Sequence, residues 1–132
     1  MVISSTISAS DGVEAIVNQG PAEFSNVLVR GGCINDVDMT SNGYNIESPE
    51  DTCGFDQLTD QTPAQLNLGP LQDNGGPTQT HALGAGSVAI DQIPLDACLD
   101  ADGELLTTDQ RGIERPQGDA CDVGAVEMQV TP

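Results

Sequence analysis

A chain of 132 residues suits one domain, and with aromatics at 2% and no Trp its core has to be thin, built from Val, Ile, Leu and Ala. Three basic against 21 acidic side chains leave a net charge of −18, which excludes a nucleic-acid backbone as partner, because binding one requires Lys and Arg to displace counterions. The same charge sets the chain against an anionic membrane surface and invites cations, divalent ones above all, which relieve self-repulsion.

In chain order, VISSTISAS sets Val2 or Ile3 and Ile7 among small hydroxyl residues, the pattern of a short alternating strand. VEAIVNQG and AEFSNVLVRGG repeat it, each closing on Asn, Gln or Gly. Short β-branched runs broken by Gly or Asn every roughly 10 to 20 residues suit the rungs of a solenoid. A parallel β-helix is the natural all-β architecture, since each rung buries a small apolar stripe and stacks on its neighbour. Residues 47–72 lose the alternation; DQTPAQL could form one helical turn, bounded by Pro63 and Pro70. From Asp73 onward, Gly- and Asp-rich segments separate short apolar runs such as SVAI, ELL and VGAVEM. The division expected is therefore residues 1–59 as terminal β-helix rungs and 60–132 as an irregular cap folded over the solenoid end, the two forming one structural unit.

The four cysteines fall as Cys33/Cys53 and Cys98/Cys121, far from any CxxC spacing, and one histidine is too few for a Cys/His zinc site. Two disulfides are the better reading, which implies an oxidising, extracytoplasmic setting. Three connectivities are open; the sequential one costs least in topology, each bridge closing a loop of roughly 20 residues and contributing about 3 kcal/mol. MVISSTISAS lacks the basic start and long apolar run of a signal peptide, and no transmembrane stretch is present, so no direct membrane insertion is expected. A mature fragment, or the tail of a longer exported protein, is the expectation.

NLGPLQDNGGPTQTHALGAGSVAID followed by TDQRGIERPQGDACDVGAVE resembles the choice-of-anchor Q domain, and FSNVLVRGGCINDVDMTSNGYNIESPEDTCGF is similar to the last rungs that precede it. That domain ends many secreted bacterial right-handed β-helix proteins, similar to polymorphic outer-membrane proteins and adhesins. The resemblance covers nearly the whole chain, with two departures: Val88 where the family usually has proline, and Val126 where it has an aromatic residue. It implies a structural or binding end module of a secreted surface protein. A solenoid fragment exposes a hydrogen-bonding, apolar cross-section, so a homodimer through the rung around Val2 to Ile16 is expected.

Residues able to carry chemistry are few. CLDADGELLTTD places Asp100 and Asp102 at the third and fifth positions of a calcium loop, Gly103 at the sixth and Asp109 at the twelfth. Cys98 stands at the first position instead of Asp, so this is a DxDG turn rather than an EF-hand, with Asp96 and Glu104 as further candidate calcium ligands. His81, the one histidine, reads first as a residue hydrogen-bonded to backbone within a Gly-rich cap. The sharper alternatives use it as a catalytic base. One pairs it with Ser87 and Asp91, without a nucleophile elbow to support the arrangement. The other sets it beside Asp73, Asp91 or Asp122 around zinc or manganese, which would make a small metal-dependent hydrolase of phosphoesters or carboxyl esters. Arg111 and Arg115, two of the three cations, read as guanidinium clamps on Asp109, Asp91 or Asp122, or else as an anion site. DNGGP is a turn cluster; no P-loop lysine follows it.

Overall fold

The computed structural model describes residues 1–9, 13–35, 39–63 and 65–129. Its first part is wound in successive turns of short strands: β1 (Val2–Ile3), β2 (Thr6–Ser8), β3 (Glu14–Asn18), β4 (Ala22–Ser25), β5 (Leu28–Arg30), β6 (Gly32–Asn35), β7 (Met39–Ser41) and β8 (Ile46–Ser48). Each of β1 to β5 pairs in parallel with the strand three further on. Three small sheets result, in the orders β1-β4-β7, β2-β5-β8 and β3-β6. The chain is all-β, with one 3-10 turn at Leu95–Ala97 among the described residues.

The corners repeat as the strands do. Ser4 (φ 45°), Asn26 (φ 60°) and Tyr44 (φ 57°) each separate a strand of the first sheet from one of the second, and all three are left-handed. They stack through Ser4 N–H to the Ser25 carbonyl and Asn26 N–H to the Gly43 carbonyl. The next corner holds Gly31 (φ 115°), where an added Cβ would lie 2.7 Å from the Val13 carbonyl oxygen. Only glycine meets both demands.

Strand alternation places Val29 inside the winding and Leu28 outside it. The interior collects Phe24, Val27, Val29, Cys33, Met39, Cys53 and Phe55, with Ile7, Ala15 and Ile16 packed against them. At the third level the interior position below Val29 is Glu47, fully buried. Its carboxylate accepts the N–H groups of Thr52 and Cys53 and the Thr52 hydroxyl at 2.7–2.9 Å. That clasp, the Cys33–Cys53 disulfide and a Phe24–Phe55 ring contact of 5.7 Å fold residues 52–55 into the open end. So the end is plugged by residues that follow β8 directly.

The remaining segment lies along the side of the winding. Its apolar residues Leu66, Leu83, Ala89, Ile93, Cys98, Cys121 and Val123 cluster with Leu28 and Ile46 on the outer face of the β2-β5-β8 sheet. It bonds to every level: Ala125 N–H to Thr6 Oγ1 at 3.0 Å, Gly124 N–H to the Asn26 carbonyl at 3.0 Å, and a parallel bridge from Gln61 to Ile46. This segment thereby covers the apolar outer face of the β2-β5-β8 sheet. Two expectations change. The described residues of 60–66 carry no helix, and Leu68–Gln72 forms β9, which pairs antiparallel with β10 (Thr80–Leu83) around the DNGGP turn. Both cysteine pairs close sequentially, as Cys33–Cys53 and Cys98–Cys121.

Candidate functional site

The densest group of charged side chains, Asp109, Arg111, Arg115, Asp122 and Glu127, holds the C-terminal segment against the sheet. Asp109 opens a turn completed by Gly112 (φ 83°), whose N–H donates to the Asp109 carbonyl at 3.0 Å. One carboxylate oxygen of Asp109 accepts the N–H groups of Arg111 at 2.7 Å and Ile113 at 3.1 Å. The other accepts two guanidinium N–H groups of Arg111 and the Glu127 N–H, at 2.8–3.0 Å. Arg111 in turn donates to the carbonyls of Glu127 at 2.6 Å and Asn74 at 3.3 Å, tying the β9–β10 turn to the C-terminal segment.

Arg115 donates to the carbonyls of Asp122 and Gly124 at 3.1 and 2.8 Å, and stands 3.5 Å from a Glu127 carboxylate oxygen. Glu127 accepts the N–H groups of Asp122 and Gln117, and Asp122 accepts those of Asp91 and Met128. Electrostatics separates the three carboxyls. Burial raises Asp109, but the Glu127 N–H and the Arg111 guanidinium outweigh it and hold the group below its ordinary value. Burial raises Asp122 over the opposing N–H groups of Met128 and Asp91. Glu127 is pushed up to about 7 by burial, with the neighbouring Asp122 charge adding to it. Burial likewise pulls the Arg115 guanidinium down, against the attraction of Glu127, Asp109 and Asp122.

The oxygens of these carboxylates are turned onto backbone N–H groups, so the arrangement locks chain to chain. The clamp expected of Arg111 on Asp109 is present; Arg115 clamps through Glu127 and two carbonyls. Glu127 was not among the residues the sequence singled out, and neither was Glu47. Glu127 interrupts an apolar run (AVEM), which is the one signal that could have marked it; Glu47, set in NIES, carries no such signal.

The remaining candidates are scattered. His81 lies in β10, its Nδ1 2.8 Å from the Gly69 carbonyl oxygen; a carbonyl only accepts, so the neutral ring carries its proton on Nδ1. Ser87 donates to the Leu66 carbonyl at 2.7 Å, and the Asp91 carboxylate packs against Gly118. Asp73 accepts the Gly75 N–H inside the turn. Asp100 accepts the N–H groups of Asp102 and Glu104 at 2.9 and 3.0 Å within a tight hairpin, while Asp109 faces Arg111 and Asp96 is exposed in the 3-10 turn. Among the described residues, no group of three or more His, Cys, Asp or Glu side chains is placed to hold a metal ion.

The chain matches no family model, no curated protein and no solved structure. No helix among the described residues is long and apolar enough to cross a membrane.

Proposed function

We propose that this chain is the end module of a secreted, right-handed parallel β-helix surface protein of bacterial type, with a structural or binding role. The observation that carries the reading is the strand pairing: each of β1 to β5 lies parallel to the strand three further on, around an interior that includes Phe24, Val27, Val29 and Met39. Parallel crossovers of this kind are right-handed in nearly all proteins. The resemblance of the NLGPLQDNGGPTQTHALGAGSVAID stretch to choice-of-anchor Q domains supports the same reading, and the two disulfides fit an extracytoplasmic setting.

At one end of the winding, residues 52–55 plug the interior; at the other, β1, β2 and β3 each have a strand neighbour on one side only. Unpaired strand edges above a partly exposed apolar interior are a template for another rung or a second copy. Sedimentation velocity at micromolar concentration tests this. A reversible dimer is expected, and Ile7→Lys, which sets a charge at the open interior, should return it to monomer. A wild-type chain that stays monomeric throughout would remove the association.

A further inference from the structure

The third arginine behaves unlike the other two. Arg30 closes β5, in register with Ser8 of β2 and Ser48 of β8 on the face turned toward the flanking segment. Arg111 and Arg115 are each engaged by a carboxylate. Arg30 has no ion pair among the described residues, in a chain with 21 acidic side chains. Its Nε is buried and has no hydrogen-bond partner, as is true of Arg115 Nε and of Ser8 Oγ on the adjoining strand; what sets Arg30 apart is that it also lacks a carboxylate. A buried N–H without an acceptor is unusual in a native protein and costs stability.

Arg30 lines a cleft of about 440 Å³ between the winding and the flank, formed with Ser48, Pro49, Gln65, Leu66, Asn67 and Leu68. None of these is acidic. A cation in an uncharged cleft, on a molecule otherwise covered in carboxylates, is a place where an external acid meets attraction locally. We propose that this cleft binds a small carboxylate, held by the Arg30 guanidinium. A planar two-oxygen anion matches the fork of N–H donors. A single negative charge also suffers less long-range repulsion from the −18 chain than a phosphate dianion does. The inference stands on Arg30 and its cleft, independently of the solenoid reading.

The test follows the Arg30 Nε–Hε resonance by heteronuclear NMR during titration with acetate and with glucuronate, with inorganic phosphate and the neutral methyl ester of glucuronate as controls. A saturable shift with both carboxylates, weaker with phosphate and absent with the ester, is expected. Arg30→Gln should abolish the response at neighbouring backbone amides, and Arg30→Lys should weaken it by removing the fork while keeping the charge. Gln65 is exposed, so Gln65→Glu offers a variant that leaves the sheet untouched; its added carboxylate should block the probes. A response that never saturates, that phosphate reproduces in full, or that survives Arg30→Gln or Gln65→Glu would overturn the proposal.

Discussion

At the scale of single residues, the stability of this protein is concentrated in a few buried polar groups. Asn45 is fully buried; it accepts the Val27 N–H at 2.9 Å and donates to the Phe24 carbonyl and Ser41 hydroxyl, joining two levels at one corner. Glu127 makes the most testable contribution. Its ordinary value of 4.5 rises to about 7 in the fold, so between the two the folded state holds a proton that the unfolded chain has released. That contribution is fully present below the lower value and is lost as pH rises through the higher one, of order 3 kcal/mol in all. Asp122, also raised, acts in the same sense. Asp109, which is lowered, acts oppositely, its stabilisation disappearing as pH falls through its depressed value. Urea midpoints across that window should fall with rising pH, and Glu127→Gln should flatten the slope. A midpoint that climbs through the window, or a slope unchanged in the variant, would exclude the assignment.

At the scale of elements, the contact between winding and flank depends on close approach. Gly124 (φ 100°) leaves no room for a side chain: an added Cβ would lie 2.6 Å from Thr6 Oγ1 and 3.1 Å from Leu28 Cβ. Gly124→Ala should lower stability by about 2 kcal/mol or more through overpacking and left-handed strain, and should loosen the flank while the windings persist. Hydrogen exchange that rises in residues 120–128 before the β5 amides would show this; uniform exposure would not. The two disulfides divide the same way. Cys33–Cys53 ties the end plug and Cys98–Cys121 the flank, across similar separations of 20 and 23 residues. Replacing either pair by Ser should cost about 3 kcal/mol, with lost protection confined to the plug in one case and the flank in the other.

At the scale of the whole molecule, a net charge of −18 opposes folding through self-repulsion. Salt shortens the reach of that repulsion to about 8 Å at physiological ionic strength, so sodium chloride should raise the melting temperature and divalent chlorides should do so at lower concentration. Magnesium and calcium should act alike, because Asp100 is engaged with the N–H groups of its own hairpin and Asp109 with Arg111. A calcium-specific rise abolished by Asp100→Asn would instead establish a site in the 100–104 turn. A melting temperature that ignores salt altogether would show that the charges are too dispersed to matter.

What the sequence by itself determined is the local grammar. The short β-branched runs around Ile7, Ile16 and Leu28 become strands, Gly31 closes one of them as a corner, and the spacing of the four cysteines makes sequential bridges the least demanding choice. These follow from alternation, φ preference and loop entropy, all of which act between near neighbours in the chain. The stretch AEFSNVLVRGG, which reads as one strand, is divided by a left-handed corner at Asn26. The β9–β10 hairpin was less legible, since Pro70 falls within a strand and the pattern there does not alternate. The tertiary structure alone decided which face each run turns where. Val27, Leu28 and Val29 are all buried, because the inner side of their sheet packs on the winding's interior and the outer side on the flank. Glu47 and Glu127 are buried for a related reason: each accepts backbone N–H groups from a turn five to ten residues away in the chain, and it is the packing of that turn against the sheets that takes the carboxyl out of water.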